Sequence, residues 1–502
     1  MFVRKKKNSS GVISIQVIDK SSGSYKLIKT IGSSADPKTI EQLYLEGQKW
    51  IENYSGQLTI EFSQDQYAKE VARSIKSIKA VGIELLITKY YNEIGFNEVD
   101  SDILRLLVIS RIANPVSKLK TVEYLKSYHD IQLGKDQIYR YLDKLYSDHK
   151  EQIQQISYTH TVKILGGIMS IVFYDVTTLY FQIDDEDEIR KRGFSKEGKH
   201  QNPQIVLGLL VSIDGYPLAF DIFEGNKFEG HTMLPILDSF KKKYKLKKLV
   251  VIADAGLLSN KNIEELQKKN YEFILGARIK NEAQIIKEKI RSLNLQNGES
   301  HIIEKEDSLK LIISYSEKRA QKDKFNRKRG LEKLNKLLRN GKLTKANINN
   351  RGYNKYLKME GDVRISIDKE KYEADALWDG LKGYLTNTDL TKDEIIENYG
   401  HLWKIEQAFR ISKHDLKVRP IYHRLQRRIE AHITINFVAY KVYKEIERQL
   451  KQNKSELSTE KVIEIAKTIY QIEIKNPHNG TKEKVNLILN DNQKYVVKLL
   501  GL

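Results

Sequence analysis

The sequence predicts an α/β protein whose mixed β-sheet, with helices packed against it, is interrupted by an inserted segment. A small strand unit and a helical region are predicted to precede the sheet. The sheet is predicted because apolar runs of strand length end at Asp175 and Asp254, and two more apolar runs flank the turn residues 213–216. The helical region is predicted because apolar residues recur at helical spacing through most of 65–165. Sheet and helix in this order indicate layers that share a core.

The N-terminal part should form a separate strand and helix unit over 1–60. Residues 12–18 nearly alternate between apolar and polar, and 21–24 have turn composition. Asp36-Pro37 predicts a helix that runs to about Tyr54, because a capping residue followed by proline starts helices. The helical region, 61–165, should be divided after Asn114-Pro115 and again near Gly134. Its pattern suits DNA binding and dimerisation equally well.

Residues 166–277 should build the first part of the sheet as strand, hairpin, helix, strand, helix and strand. Residues 278–378 are predicted to be an insertion, in which Glu317 to Met359 carry fifteen Lys or Arg against three acids. A helix at 320–339 would present this charge either to a polyanion or simply to solvent. The second part of the sheet region, 379–440, should contain a long helix over about 392–413 followed by a basic segment, 413–428. The C-terminal region, 441–502, shows mixed helix and strand patterns without a chemical motif.

Composition narrows the function classes. Lys and Arg number 86 against 66 Asp and Glu, a formal charge of +20. Such an excess favours a polyanion such as nucleic acid, although dispersed lysines can also serve solubility alone. The chain has no cysteine, which excludes disulfides and thiolate metal sites. It shows neither a secretory signal nor an apolar run of the ~20 residues that span a membrane, so we expect a cytoplasmic protein with no membrane partner.

Two carboxylates are the first candidates for chemistry. Asp175 and Asp254 each follow a Val/Ile-rich run, and side chains at the carboxyl ends of such strands point into the crevice where open α/β sheets bind ligands. On neighbouring strands the two would converge, and converging carboxylates attract hard divalent cations such as Mg²⁺. Taken singly, either Asp could merely start a turn.

A third carboxylate, Glu406, lies on the predicted helix. Helical spacing places Tyr399, Trp403, Glu406, Arg410 and Lys413 on one stripe. One acid among cations and aromatics suits a phosphodiester site: the acid completes a metal shell, the cations hold phosphate and an aromatic stacks on a base. The alternative is an ordinary amphipathic helix, in which Glu406 pairs with Arg410 and the aromatics are core.

These residues resemble the signature of the IS4-type DDE transposases, in which a Tyr lies seven residues before the catalytic Glu and a Lys seven after. Tyr399, Glu406 and Lys413 have this spacing, with Asp175 and Asp254 upstream. The sequence is most similar to the IS1634-like insertion-sequence transposases. The further segments that carry this resemblance are 174–178, 193–196, 203–209, 223–226, 253–256 and 316–320.

The resemblance implies an RNase H-like catalytic core with an insertion before the Glu-bearing helix. It implies that Asp175, Asp254 and Glu406 ligate two Mg²⁺ ions, with Mn²⁺ as a substitute, for cleavage and strand transfer. Tyr399 and Lys413 would contact DNA at the transposon end. The family often has an Arg three residues after the Tyr, whereas this chain has Leu402, so His401, Lys404 or Arg410 would have to supply that phosphate contact.

The implied partners are double-stranded DNA, as terminal inverted repeats and as target, and a second copy of the chain in a homodimer on paired ends. The implied location is the nucleoid of a bacterium or archaeon. Two other functions stay open on sequence alone. One is an RNase H-like nuclease or resolvase, and the other is a catalytically silent DNA-binding derivative of a transposase.

Overall fold

The computed structural model describes residues 1–21, 23–54, 69, 71–167, 169–195, 198–257, 259–349, 352–360, 364–476 and 479–501. The chain divides into two compact units. The first comprises Met1–Ser77 with Glu473–Lys484, and the second Ile78–Ile472 with Val485–Leu502. The predicted boundary at 60/61, one residue of the predicted turn (Ser22) and one of the matched motifs (Lys196) lie outside the described residues.

The first unit contains the predicted N-terminal strands and helix. Strands β1 (Phe2–Lys7), β2 (Ile13–Asp19) and β3 (Lys26–Ser34) form an antiparallel sheet. Helix α1 (Pro37–Tyr54) has the predicted limits, because the Asp36 carboxylate accepts a hydrogen bond from the Thr39 amide at 2.9 Å and caps its start. Val3, Ile15 and Ile40 form the small core between sheet and helix.

The helices of the helical region end and begin at the predicted breaks, with one exception in secondary structure. Helices end at Ala113, before Asn114-Pro115, and begin again at Lys135 after Gly134. The exception is a strand, β4, in a stretch where the spacing of Ile75 and Ile78 fits a helical turn equally well. The elements are β4 (Ile75–Ala80), α2 (Gly82–Ile94), α3 (Asp102–Ala113), α4 (Lys118–His129), α5 (Lys135–Lys144) and α6 (Lys150–Ile164).

The second unit contains an eight-stranded mixed sheet. Its strand order is β10-β11-β14-β9-β8-β5-β6-β7. β5, β8 and β9 are parallel to one another, and every other neighbouring pair is antiparallel. The strands are β5 (Ile171–Tyr180), β6 (Gln204–Ser212), β7 (Pro217–Glu224), β8 (Val250–Ala253), β9 (Glu272–Ala277), β10 (Ser300–Glu304), β11 (Lys310–Tyr315) and β14 (Leu381–Thr386).

The two faces of this sheet belong to different cores, as strand alternation requires. On β5, Val172 and Tyr174 pack into a cluster with helix α7 (Met233–Tyr244). Phe173 packs into the other cluster, together with Ile405 and Phe409 of the Glu406 helix. Helices α8 (Asn260–Lys268) and α9 (Gln284–Ser292) flank β9 in sequence.

The segment 278–378, predicted as one insertion, has two parts in the structure. Its first part contributes β10 and β11 to the main sheet, because β11 pairs with β14 along six residues. Its second part begins with the long basic helix, which starts three residues earlier than predicted. The elements of that part are α10 (Glu317–Arg339), β12 (Leu357–Glu360), β13 (Arg364–Ile367) and α11 (Lys369–Ala376).

The predicted helix over 392–413 is broken near His401 and Leu402. α12 (Lys392–Gly400) precedes the break, α13 (Trp403–Arg410) follows it, and a π-helical turn at Ile411–Asp415 ends the segment. The remaining elements are α14 (Gln426–Gln452), α15 (Thr459–Ala466), β15 (Tyr470–Lys475), β16 (Lys482–Leu487) and α16 (Asp491–Leu500).

Helix α14 is buried along most of its length and runs through residue 440, where a domain boundary was predicted. It carries buried polar groups: Lys441 Nζ donates to the Ser157 carbonyl at 3.1 Å, and Glu445 accepts from the Tyr216 hydroxyl at 2.7 Å. No helix in the described part of the chain combines the length and apolar character needed to cross a bilayer.

Candidate active site

The two predicted aspartates lie on neighbouring parallel strands. β5 and β8 pair from Ile171↔Val250 to Phe173↔Ile252. Asp175 and Asp254 each come two residues after the last pair, so continuing the register sets them side by side on strands that are about 4.8 Å apart. The sequence predicted a strand end at Asp175, but β5 continues to Tyr180 because its antiparallel pairing with β6 extends that far. Only the parallel pairing with β8 ends near Asp175, at Phe173↔Ile252.

Each aspartate is held by the local backbone. Asp175 is half-buried, and its Oδ1 accepts a hydrogen bond from the Val176 amide at 2.7 Å. Asp254 is also half-buried and opens a turn, where its Oδ1 accepts from the Gly256 amide at 2.8 Å. A Cβ on Gly256 would lie 2.9 Å from that oxygen, so glycine lets the turn fold closely under the carboxylate.

The helix of Glu406, α13, packs against β5 and β6 on the face that carries Phe173. Ile405, Ala408 and Phe409 are its buried side, whereas Glu406 is exposed. Among the described residues, Glu406 makes no hydrogen bond or ion pair. The predicted Glu406–Arg410 ion pair of an ordinary amphipathic helix is therefore not formed.

Tyr399 connects Glu406 with Asp254. Its hydroxyl lies against Gly276 of β9, close to the backbone of Ala255, and the side chain is 7 % exposed. Burial and the negative charges of Asp254 and Glu406 raise the pKa of the Tyr399 hydroxyl well above its usual range. Both carboxylates therefore lie near the same hydroxyl, which stays protonated.

Of the other three predicted DNA-binding residues, Trp403 and Arg410 lie with Glu406 on the exposed face of α13, whereas Lys413 follows in the π-helical turn. Trp403 is 51 % exposed and lines a cavity with Lys404 and Lys444. Arg410 is exposed and close enough to Asp415 to influence the pKa of that carboxyl. The break before Trp403 and the π-helical turn, which holds Lys413, change the angle between successive side chains.

Lys413 lines an apolar cavity with Thr177 and Leu179. These two residues alternate with Asp175 on the same face of β5. Lys413 thus lies over the strand that carries the first aspartate, on the side of the Glu406 helix.

Two cations beside Glu406 were not singled out from the sequence. Lys382 of β14 has its Nζ 4.3 Å from the ring centroid of Tyr399. Burial and the nearby Arg319 lower the pKa of Lys382, and the negative charge of Glu406 partly opposes this. Lys382, Arg319 and Glu406 therefore form one electrostatic cluster.

The motif at 316–320 explains why Arg319 lies beside Lys382 and Glu406. Ser316 caps α10, its Oγ accepting from the Arg319 amide at 3.4 Å, and its own amide donates to the Gly380 carbonyl at 3.1 Å. Gly380 has φ +81°, and a Cβ there would lie 2.6 Å from Tyr315 Cε2 and 2.8 Å from Ala320 Cβ. Only glycine lets the start of α10 meet the start of β14, two residues before Lys382.

A family model for the transposase DDE domain matches residues 166–442, more than half of the 502-residue chain. This chain belongs to the DDE transposase family. The match begins just before β5 and ends within α14, so it contains both aspartates and Glu406. Comparison with curated protein sequences gave no match.

Two solved transposase structures are similar to this DDE transposase at low identity. One is the piggyBac transposase synaptic complex with hairpin DNA, with 10 % identity and a TM-score of 0.39 over 78 % of this chain and 79 % of that chain. The other is the Mos1 transposase paired-end complex with left transposon end, with 11 % identity and a TM-score of 0.16 over 46 % of this chain and 66 % of that chain.

The donor atoms of this DDE transposase suit a hard divalent cation, because the three carboxylates offer only oxygen. Asp175 and Asp254 fit such an ion as a pair by their register. Within the described residues, no three His, Asp or Glu side chains are gathered closely enough to hold a metal ion, so Glu406 is not drawn into one cluster with the pair.

Proposed function

We propose that this chain is the transposase of an insertion sequence, of the IS4 type and similar to the IS1634-like proteins. Its reaction is cleavage of DNA at the transposon ends, followed by joining of the 3′ ends to target DNA. The observation that carries the proposal is the register of Asp175 and Asp254, side by side where the parallel pairing of β5 and β8 ends, on the sheet face that packs against the Glu406 helix. We propose that the mixed sheet is an RNase H-like core.

Asp175, Asp254 and Glu406 would hold two Mg²⁺ ions, with Mn²⁺ as a substitute. When bound, these ions supply Lewis-acid stabilisation of the charge that develops on the phosphodiester. Before binding, the three negative charges oppose one another's approach. The exposed side chain of Glu406, with no hydrogen bond to break, can turn towards the two aspartates at little cost.

The cations around the carboxylates give this site affinity for a phosphodiester. Lys382 and Arg319 lie beside Glu406, and Lys413 lies over β5. Each can donate a charge-assisted hydrogen bond to a phosphate oxygen and so hold the scissile group against the metal-binding carboxylates. The buried ring of Tyr399 packs α12 against β9, and its protonated hydroxyl lies near both Asp254 and Glu406 without adding negative charge.

Double-stranded DNA is the proposed partner, as terminal repeats and as target. The net charge of +20 and the basic residues of α10 favour binding to the DNA polyanion. A homodimer on two paired ends would let both ends be cut in concert. For Tyr399 and Arg410, a direct DNA contact stays a prediction.

The test is cleavage of labelled DNA from the flanks of the gene, with Mg²⁺, by wild type, Asp254→Asn and Asp389→Asn. Asp389 is fully exposed on the loop after β14 and serves as the matched control. We expect nicking at one defined phosphodiester by wild type and control, and its loss in Asp254→Asn with DNA binding retained. If no protein cuts and all three bind equally, the chain is a catalytically silent DNA-binding protein. Cutting at branched DNA without strand transfer would instead indicate a nuclease or resolvase.

A further inference from the structure

A pocket of about 490 Å³ lies between the start of α4 and the segment that joins the π-helical turn to α14. Its walls include five Lys or Arg, two His and, as far as the chain is described, no Asp or Glu. We call it the cationic pocket. The five Lys and Arg side chains are Arg111, Lys118, Lys120, Lys417 and Arg419. Burial and the nearby charge of Arg111 lower the pKa of Lys118 well below its usual range, so the ammonium has to gain an anion to be stable there.

Two of these cations are buried at the base of the pocket. Arg111 is 4 % exposed and donates through Nη1 to the carbonyls of Leu416, at 3.4 Å, and Lys417, at 3.1 Å. Its Nε has no hydrogen-bond partner in the described part of the chain. Lys118 is 7 % exposed and has neither an ion pair nor a hydrogen bond to the described residues. Burying two positive charges without a counter-charge is unfavourable unless an anion neutralises them.

Two buried histidines also line the pocket. His432 is 5 % exposed, and its Nε2 donates to the Val418 carbonyl at 2.8 Å, which leaves the Nδ1 acceptor of the neutral ring buried without a partner in the described part of the chain. The ring of His423 lies 5.6 Å from it. Burial and the charge of Lys118 lower the pKa of His423 to about 4. The negative charge of Asp143 partly opposes this shift. The Asp143 carboxylate already accepts hydrogen bonds from Arg427 and Arg428, so it does not neutralise the pocket.

Helix α4, twelve residues long, begins at this pocket. Ser117 caps it by accepting from the Lys120 amide, and the other amides of its first turn have no intrahelical acceptor. The positive end of the helix dipole therefore adds to the charge of the side chains. Helix start and buried cations are independent observations that favour the same ligand charge.

We propose that the cationic pocket binds a phosphate group, and that in the working protein this group belongs to the DNA backbone. The second half of this statement rests on the proposed function. A phosphate matches the pocket because its several oxygens can accept simultaneously from a guanidinium, an ammonium and backbone amides. The volume admits a phosphate with its attached sugar, and the exposed ring of Tyr422 at the rim offers a base a surface to stack on.

The first arm of the test uses inorganic phosphate and no DNA. Thermal unfolding is followed in phosphate and in chloride at equal ionic strength for wild type, Lys118→Met and Lys126→Met. Lys126 is exposed on the same helix and matches the change of charge. We expect saturating phosphate to raise the Tm of wild type and of Lys126→Met by about 2–4 °C. For Lys118→Met we expect a higher Tm in chloride, because a buried unpaired charge is gone, and no response to phosphate.

A measurement without any substitution supports this arm if Lys118→Met does not fold. Phosphate added to isotopically labelled wild type should shift the imidazole signals of His423 and His432 and leave those of exposed histidines in place. Equal stabilisation of wild type and Lys118→Met by phosphate, or unshifted signals of both rings, would overturn the proposal.

The second arm decides the source of the phosphate. Affinity for a duplex is measured at several salt concentrations without divalent metal. We expect Lys118→Met to lower the slope of log affinity against log salt by about 1, as for one lost phosphate contact, with Lys126→Met unchanged. If phosphate separates the variants but DNA does not, the pocket takes free phosphate anions and its assignment to DNA is overturned. Neither arm needs cleavage, so an inactive catalytic site would leave the phosphate result standing.

Discussion

Gly276 offers a sharp test of how the candidate site is held together. A Cβ at this position would collide with the Tyr399 hydroxyl and lie 3.0 Å from the Ala255 amide nitrogen and 3.3 Å from the Ala255 Cβ. Ala255 directly follows Asp254, and Tyr399 is on the helix before that of Glu406. Gly276→Ala should therefore push apart the turn of the second aspartate and the segment that leads to Glu406.

The expected cost comes from overpacking a buried position, about 1–3 kcal/mol of unfolding free energy. The effect on cleavage should be larger, because a displacement of about 1 Å in a catalytic group can reduce the rate by roughly a hundredfold. Gly400→Ala is the matched control, since a Cβ there meets nothing within 4 Å and alanine favours the helix.

The double variant Gly276→Ala/Tyr399→Phe removes the oxygen that the new Cβ meets first. No described residue is hydrogen-bonded to that oxygen, so Tyr399→Phe alone should be nearly neutral for folding. We expect the second substitution to recover much of the lost stability and cleavage, as measured by thermal unfolding and by initial nicking rate. The close contact of Gly276 with Tyr399 would not matter for the site if Gly276→Ala were as stable and active as Gly400→Ala, or if Tyr399→Phe gave no recovery.

Three further substitutions test a phosphate contact of Lys382, the burial of His160 and a DNA contact of Trp403. Lys382→Met should leave the fold intact but slow cleavage about 10- to 100-fold, because one charge-assisted phosphate contact is lost. Lys358→Met, at an exposed position of β12, should cleave at the wild-type rate. Equal rates for the two variants would exclude the phosphate contact of Lys382. Burial lowers the pKa of His160 to about 4, below its usual 6.5, so the folded state gains stability above pH 6.5 and loses it as the pH falls towards 4. The loss of stability amounts to at most about 3 kcal/mol. Denaturation midpoints measured between pH 4 and pH 6.5 should therefore depend less on pH in His160→Gln than in wild type. An unchanged pH dependence would assign the effect to another group. Trp403→Ala should lower DNA affinity by about 1–3 kcal/mol while Trp403→Phe largely preserves it, and unchanged affinity in both would assign the half-exposed ring to packing.

Several elements could be predicted from the sequence because their patterns are local. Asp36-Pro37 started α1, the turn at 213–216 joined β6 to β7, and the apolar run before Asp254 became β8. The limits of β5 could not be predicted in this way, since its extension past Asp175 depends on pairing with β6. Spacing alone also missed the break at His401, which separates Tyr399 from the exposed face shared by Trp403, Glu406 and Arg410.

The cations of the candidate site depended on distant chain segments. Lys382 reaches Glu406 because β14 returns to pair with β9 across about a hundred residues, and no local pattern encodes that return. Arg319 belongs to a motif that resembles the family, but its position beside Lys382 follows from Gly380. The buried cations Arg111 and Lys118 occur in an ordinary helical pattern, where burial cannot be distinguished from exposure.

Asp254 is proposed to be a metal ligand in a DNA-cleaving site, and exchanging its ligand atom is a direct test. Asp254→Cys introduces the only thiol in the chain, and sulfur binds Mg²⁺ poorly but accepts softer metals. Cleavage of the labelled end DNA is measured with Mg²⁺ and with Mn²⁺ at equal DNA occupancy. We expect the variant to be inactive with Mg²⁺ and partly restored by Mn²⁺, while the wild type cuts with both. Undiminished cleavage by the variant with Mg²⁺ would show that Asp254 does not ligate the metal.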